Sequence, residues 1–431
     1  MTYKETIEYL YHSAPMFQQI GAGAYKEGLA NTRALDLHFG HPHTQYRTIH
    51  VAGTNGKGSC SHTLAAILQA AGYRVGLYTS PHLVDFRERI RVQGQMIPQD
   101  DVVRFVEEER AFFEPLHPSF FELTTALAFK YFADQAVDVA VIEVGLGGRL
   151  DCTNIIRPDL SIITNISLDH TRFLGDTPAQ IAAEKAGIMK QGVPALIGEW
   201  TEETRPVFQR RAAEVGVASL HFAQDEDHEA DYPGLQFELK GLYQEKNRRT
   251  LLAALPLLRE AGYRIPEEAV RRGFAQVTEL TGLMGRWQRL QSNPTLVCDT
   301  GHNTGGIAYV ARQLRQQTCR RLRLVIGMVN DKDVRGVLAL LPREADYYFT
   351  QASVSRALPA EEMARLGREA GLRGRTYADV PTAVRAALQE SLPEDFIFVG
   401  GSSFIVADLL SHRDALNLHQ STLGQGVDRV G

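Results

Sequence analysis

Residues 46–59 read Tyr-Arg-Thr-Ile-His-Val-Ala-Gly-Thr-Asn-Gly-Lys-Gly-Ser, and the reading of this stretch decides the fold. The β-branched residues Thr48, Ile49 and Val51 mark a buried strand, and Gly53, Thr54, Asn55, Gly56, Lys57, Gly58 and Ser59 follow as a glycine-rich turn with one lysine. From Ser59 the chain takes helical spacing, with Cys60, Leu64, Ile67, Leu68 and Ala71 on one face before Gly72. A strand, a glycine turn and a helix start aim backbone N–H groups at one point, where the helix dipole also favours an anion. Gly53, Gly56 and Gly58 let the backbone approach closely, and Lys57 adds a point charge suited to β- and γ-phosphates. Ser59 is placed to face a magnesium ion. The stretch is a phosphate cradle, although the common pattern G-x-x-x-x-G-K-[ST] is not met. Val51 stands where its first glycine should be, and Gly58 separates Lys57 from the hydroxyl.

At 431 residues the chain exceeds what one hydrophobic core serves, so two domains are expected. With 44% hydrophobic and 23% charged residues its composition is that of an ordinary globular protein. The net charge of −5 argues against a general grip on nucleic acid or an anionic membrane, so anionic substrates must be met by local sites. Cys60, Cys152, Cys298 and Cys319 are far apart and lack C-x-x-C spacing, as expected of reduced thiols in a cytoplasmic protein. No basic-then-apolar leader opens the chain, and no apolar run approaches a membrane span.

Apolar periodicity expects an opening helix over residues 4–21, a mobile loop at 21–29 and a short helix near 31–39. Strands are expected at 74–79, 137–146, 160–166 and 193–198, with helices over 101–115 and 122–135. The run Val137-Asp-Val-Ala-Val-Ile-Glu-Val is nearly continuous in apolar residues, as in a parallel strand buried on both faces. Strands alternating with helices give a doubly wound α/β sheet. The acidic run between Ala223 and Pro233 reads as a solvated loop, and helices follow at 247–261 and 266–274. Beyond a linker near residue 287 the alternation restarts, with strands at 295–299, 322–329, 347–351 and 396–400. Residues 288–431 thus form a second, smaller, Rossmann-like α/β domain after a cradle-bearing domain at 1–287.

In open parallel sheets the ligand lies beyond the carboxyl ends of the strands, which gives the residues there most weight. Ser80-Pro-His follows the second strand. Glu143 sits at the end of an apolar run before Gly145, Gly147 and Gly148, and a buried carboxylate there needs a cation or hydrogen-bond donors. Magnesium beside a triphosphate would serve; so would a structural ion pair with Arg149. Thr164-Asn-Ile-Ser-Leu-Asp-His-Thr brings Asp169 and His170 together, the histidine being a ligand, a base or a satisfied core residue. Lys185, next to this loop in sequence, reads by default as an exposed lysine. In the second half Asp299, His302 and Asn303 lie just beyond a strand, where an aspartate can hold a ribose hydroxyl and an imidazole can lie against a purine.

Taken together, Gly53-Thr-Asn-Gly-Lys-Gly-Ser, Thr79-Ser-Pro-His-Leu, Glu143-Val-Gly-Leu-Gly-Gly-Arg-Leu-Asp, Leu168-Asp-His-Thr, Glu184-Lys-Ala-Gly, Gly285-Arg-Trp-Gln and Asp299-Thr-Gly-His-Asn resemble one family in order. That family is folylpolyglutamate synthase and dihydrofolate synthase, a branch of the Mur ligase superfamily of ATP-dependent amide ligases. Its cradle has the same unusual spacing. The resemblance implies that Gly56 to Ser59 hold the ATP phosphates and that Gly53, Thr54 and Asn55 also belong to the nucleotide site, that Ser80 and Glu143 hold one magnesium ion, and that His170 binds a second. It also implies that Lys185 is carbamylated, that Asn247, Arg286, Asp299 and His302 contact the nucleotide, and that Phe120, Phe121, Glu122 and Asp151 lie near the pterin. Thr300-Gly301 and Trp287 depart mildly from the family pattern.

The activity so implied phosphorylates a folate or dihydropteroate carboxylate with ATP, and the amine of L-glutamate then displaces phosphate. Lys57, His170 and Lys185 would be the catalytic residues, and closure of the two domains on ATP would exclude water. A monomer acting on small molecules, without nucleic acid or membrane, is expected. A peptidoglycan-precursor ligase would need a further nucleotide-sugar domain, and a P-loop switch would need an N-K-x-D base-reading motif.

Overall fold

The computed structural model describes residues 1–13 and 28–418, and within it the chain divides into two compact units, Met1–Leu283 and Met284–Gly431. The division falls after Leu283 rather than near residue 287, so Arg286 and Trp287 belong to the second unit. The opening helix is Tyr3–Ser13. The rest of its expected span, and most of the loop expected at 21–29, lie outside the described residues.

Among the described residues the first unit holds eight strands: β1 (Arg47–Ala52), β2 (Val75–Tyr78), β3 (Ile90–Val92), β4 (Gln95–Met96), β5 (Val139–Glu143), β6 (Leu160–Ile163), β7 (Ala195–Ile197) and β8 (Leu220–Phe222). They lie in the order β4-β3-β2-β5-β1-β6-β7-β8. Pairing is parallel from β2 to β8. The β3–β4 hairpin is antiparallel and extends the β2 edge, a feature the helix–strand alternation did not announce. The central strand β1 is flanked by β5 and β6, with Val51 opposite Glu143 and Ile162. The carboxyl ends that carry the cradle, Glu143 and Thr164 are therefore neighbours.

Helices cover both faces because β1, β5 and β6 are apolar on both. On one face Lys57–Ala70, Gln244–Glu260 and Glu267–Ala275 close a core around Ile49, Val141 and Ile162. On the other, Gln99–Phe113 and Phe120–Asp134 pack an aromatic core with Tyr78, Phe86, Phe129 and Phe132. The Lys57–Ala70 helix is buried from Ser59 to Leu68, not along one stripe. It lies under the Gln244–Glu260 and Glu267–Ala275 helices as well as on the sheet. In the acidic run, Asp225 accepts from the Trp200 indole at 2.8 Å and pairs with Arg205 at 2.6 Å, while Tyr232 turns into the core.

The second unit has β9 (Gln288–Ser292), β10 (Thr295–Asp299), β11 (Leu322–Ile326), β12 (Asp346–Phe349), β13 (Arg373–Thr376) and β14 (Phe396–Gly400), ordered β13-β12-β11-β14-β10-β9. All pairs are parallel except β9 with β10. The edge strands β9 and β13 and the helix Ser403–Ser411 were not expected from periodicity. β13, Arg-Gly-Arg-Thr, is polar and mostly exposed, so it carries no apolar alternation to read.

The Glu267–Ala275 helix packs closely on the cradle helix at Gly273, where an added Cβ would lie 2.5 Å from the Ile67 backbone. Alanine favours a helix interior over glycine by about 1 kcal/mol, but forcing backbones apart in a packed core costs about 1–3 kcal/mol. Gly273→Ala should therefore destabilise the first unit on balance, read as a lower urea midpoint. An unchanged or raised midpoint would show that the two helices separate freely.

Candidate active site

The cradle is positioned by the loop after β6. Thr54 N–H donates to the Asn165 carbonyl at 2.9 Å, and Asn55 N–H to the Asn165 side-chain Oδ1 at 2.8 Å. The Thr54 hydroxyl donates to the Ser167 carbonyl at 3.1 Å and accepts from Ser167 N–H at 3.1 Å. Thr164 Oγ1 donates to the Asn55 carbonyl at 2.6 Å. Thr54 and Asn55, expected within the nucleotide site, spend their backbone N–H groups on this neighbouring loop.

The amides of Gly56, Lys57, Gly58 and Ser59 come next. Gly56, at φ +85°, is the N-cap of the Lys57–Ala70 helix, and the first intrahelical bond is Cys60 N–H to the Gly56 carbonyl at 2.9 Å. The Lys57, Gly58 and Ser59 amides thus have no partner within the helix, the arrangement that receives an anion. An added Cβ on Gly56 would lie 2.3 Å from Asn247 Oδ1, so Asn247 closes directly over the turn.

Two lysines converge on one atom. Lys57 Nζ and Lys185 Nζ each donate to the Gly53 carbonyl at 2.9 Å, and Lys57 also reaches the Thr54 carbonyl at 3.2 Å. Lys185 is only 4% exposed, which overturns its default reading as a surface lysine. Its Pro178–Ala186 helix packs against the glycine loop after β5, where an added Cβ on Gly148 would meet the Glu184 and Lys185 carbonyls at 2.8 and 2.9 Å. Burial, with Lys57 adding repulsion, lowers the Lys185 pKa to about 7, while Asp169 and Asp151 pull the other way.

Glu143 ends β5, is 3% exposed, and accepts the Ser80 N–H at 3.0 Å. Arg149, the alternative structural partner, pairs with Glu184 at 2.9 Å. Asp169 Oδ1 accepts from the His170 N–H at 2.9 Å, and the imidazole Nε2 lies 4.0 Å from the same carboxylate. His170 has φ +51°, a left-handed conformation imposed on a non-glycine residue at the start of the Thr171–Leu174 helix. No group of three or more His, Cys, Asp or Glu side chains able to hold a metal occurs among the described residues. An ion at Ser80 and Glu143 would need oxygens from phosphate or water to complete its shell.

The four residues expected near the pterin divide. Phe120 is buried against Tyr11 and Phe86, with Arg89 over its ring at 5.2 Å. Phe121 stacks on Tyr78 and lies against Gly145. Glu122 accepts the Ser119 N–H at 2.6 Å in a capping box, so its carboxylate already has a structural task. Asp151 is buried and accepts from Thr153 N–H at 3.0 Å and Leu146 N–H at 2.8 Å, holding the glycine loop. Burial raises its pKa.

In the second unit, Asp299 ends β10 and accepts from Trp287 N–H at 2.7 Å and Gly301 N–H at 2.8 Å. Arg286 reaches the Thr300 hydroxyl, and His302 Nδ1 lies 3.0 Å from the Thr300 carbonyl. Asp299 thus ties the backbone before β9 to the turn after β10.

Sequence reasoning assigned no role to Asn165, Thr164 or Gln244. Gln244 is fully buried and links Ser59 to Asn247. Its spacing of three from Asn247 at a helix start was the available signal.

This strand–turn–helix cradle, beside a buried carboxylate and a buried lysine, belongs to a class: residues 51–252 match the Mur ligase middle domain, and residues 285–403 match the Mur ligase, glutamate ligase domain. The chain is 36% identical to a dihydrofolate synthase/folylpolyglutamate synthase of Escherichia coli, over 85% of this chain and 86% of that one. It is 35% identical, over 95% of its length, to a probable bifunctional folylpolyglutamate synthase/dihydropteroate synthase of Haloferax volcanii, of which it spans 50%. The bifunctional folylpolyglutamate synthase/dihydrofolate synthase of Yersinia pestis, crystallised with AMPPNP and Mn ion, superposes with TM-score 0.83 at 32% identity, covering 97% of this chain and 98% of that one. The chain belongs to the folylpolyglutamate synthase/dihydrofolate synthase family.

The low Lys185 pKa has a stability consequence. Between about 7 and the ordinary lysine value of 10.5 the unfolded chain holds a proton that the folded chain lacks. Stability must therefore rise with pH across that window and gain nothing from Lys185 below it. Lys190, lowered to about 8 by burial first, then Arg33 and Arg211, contributes in the same direction. The difference between wild type and Lys185→Met isolates the first group. Urea midpoints from pH 6.5 to 9.5 should climb more steeply in the wild type; parallel curves would place the Lys185 pKa in the normal range.

Proposed function

We propose that this chain joins L-glutamate to the carboxylate of a folate- or pteroate-type acid at the expense of ATP, through an acyl phosphate, as a monomer in the cytoplasm. The observation that carries the reading is the set of unclaimed amides at the start of the Lys57–Ala70 helix, with Lys57 beside them. That arrangement suits the β- and γ-phosphates. Asn247, and in the second unit Arg286, Asp299 and His302, are assigned to the rest of the nucleotide. Phe120, Phe121, Glu122 and Asp151 are assigned to the vicinity of the pterin, with Phe121 presenting the more accessible ring.

A carboxylate is a poor acyl donor because oxide is a poor leaving group. Its oxygen attacks the γ-phosphorus, the bond to the β-phosphate oxygen breaks, and ADP departs. The neutral amine of glutamate then attacks the carbonyl carbon, phosphate leaves, and the amine proton is lost to give the amide. Lys57 and the helix amides hold positive potential where charge gathers on the transferring group.

The residues fit a magnesium ion, since the buried Glu143 carboxylate lies beside Ser80 and is not committed to Arg149. Ser80 and Glu143 would hold one ion and His170 a second, although the imidazole is the less favoured ligand type. Magnesium, when bound, would shield phosphate charge and polarise the γ-phosphoryl group.

Lys185 is assigned as a carbamylation site. A neutral amine attacks carbon dioxide, forms an N–C bond and releases a proton, leaving a carboxylate that can approach metal or phosphate. Its pKa of about 7 keeps the amine form populated at neutral pH.

Two measurements test these assignments. ADP release with glutamate plus either dihydropteroate or tetrahydrofolate, followed by mass analysis, should show one glutamate added to each acid. Addition to one alone would make the enzyme monofunctional, and Lys57→Ala should remove at least 99% of turnover, about 3 kcal/mol, while leaving the melting curve unchanged. In the second, wild type equilibrated with ¹³C-bicarbonate at pH 8 should show a carbamate resonance that Lys185→Met lacks. Identical spectra would refute the modification.

A further inference from the structure

Gln244 is a fully buried polar side chain that touches the cradle and has no part in the assignments above. Gln244 opens the Gln244–Glu260 helix and is 1% exposed. Its Nε2 donates to Ser59 Oγ at 3.0 Å, and its Oε1 accepts from Asn247 Nδ2 at 2.8 Å. Ser59 is itself 1% exposed and is the third residue of the cradle helix. Asn247 Oδ1 in turn lies over Gly56. One amide therefore bridges the two sides of the turn, from the helix flank at Ser59 to the cap at Gly56.

We propose that Gln244 is a positioning residue for nucleotide binding, which fixes the direction of the Ser59 hydroxyl and the placement of Asn247. A hydroxyl has one proton to give and can accept two. Because Ser59 Oγ accepts from Gln244, its own proton is left to donate, and the groups beside it are the amides already assigned to phosphate. The same amide carbonyl takes one Asn247 N–H and leaves Asn247 Oδ1 facing Gly56. A glutamate at 244 would reverse the Ser59 hydroxyl, since a carboxylate only accepts. A methionine would fill the space and make neither bond.

This inference rests on the cradle binding nucleotide, so the experiment separates the two. Titration calorimetry with ADP and magnesium is run on wild type, Gln244→Met, Gln244→Glu, Ser59→Ala and the double variant Gln244→Met/Ser59→Ala. Wild type should bind, Gln244→Met should weaken binding about tenfold, one buried hydrogen bond's worth, and Gln244→Glu should weaken it at least as much. The Gln244→Met loss should shrink in the Ser59→Ala background, because the lost bond is shared. Steady-state assays should place the defect in KM for ATP and leave KM for glutamate and the acid unchanged.

Absence of ADP binding in the wild type would overturn the cradle assignment itself. Wild-type binding with unchanged affinity in both Gln244 variants would overturn only the positioning role. So would a loss fully additive with Ser59→Ala, or a rise in all three KM values together with a lowered melting temperature. Should Gln244→Met fail to fold, Gln244→Glu carries the cycle with Ser59→Ala under the same criteria.

Discussion

The Gly53 carbonyl is the point on which the first unit's chemistry turns. Two lysine side-chain nitrogens donate to it at 2.9 Å, one from the cradle itself and one, Lys185, from a helix 132 residues further along the chain. Gly53 has φ +146°, and an added Cβ would lie 1.9 Å from Thr164 Oγ1, so only glycine can turn its carbonyl this way under the β6 loop. Gathering two cations raises local positive potential and makes ionisation of the buried lysine costly. Lys57 is only half-buried. Lys185, which is enclosed, is pushed toward the neutral amine.

That convergence is a consequence of strand order. Because β1 lies between β5 and β6, the segments leaving their carboxyl ends must share a small area. The β6 loop takes two of the cradle's amides, which anchors the turn and leaves the next ones for a ligand. The β5 loop, held by Asp151, lies against the helix that carries Lys185. The sheet is therefore more than a scaffold: its crossovers bring together residues that are distant in sequence and opposed in what burial would prefer. The energetic strain of a buried lysine, a buried glutamate and a left-handed histidine is concentrated on this one edge.

The sequence revealed strands wherever both faces were apolar. β10 and β14 fall at the expected residues, 295–299 and 396–400, since central parallel strands have no solvated side to dilute the signal. The β3–β4 hairpin and β13 were illegible for the opposite reason: they are short, lie at edges, and take their pairing from a neighbour rather than from their own pattern. Among site residues, glycine turns and strand-end carboxylates were visible because chemistry restricts the residue type there. Gln244 and Asn165 were not, since an amide that hydrogen-bonds to a distant loop looks in sequence like any surface polar residue. The burial of Lys185 was likewise hidden, as nothing local to Glu184-Lys-Ala-Gly distinguishes an enclosed helix face from an exposed one.

The departure from the common phosphate-loop pattern has a structural reason. In that pattern the hydroxyl directly follows the lysine, so both can address the same phosphate and its metal. Here Gly58 intervenes, and a two-residue step turns about 200° around a helix. Lys57 folds back to the Gly53 and Thr54 carbonyls, while Ser59 faces the buried Gln244. One lone pair of the serine hydroxyl is thereby taken by the helix flank, and a second hydroxyl, that of Ser80, follows another strand. Ser80, whose N–H already donates to Glu143, is the hydroxyl that the fold places beside a buried carboxylate. The altered spacing and the position of Ser80 belong together: an ion held as proposed by Ser80 and Glu143 would sit at the ends of β2 and β5 rather than on the cradle helix.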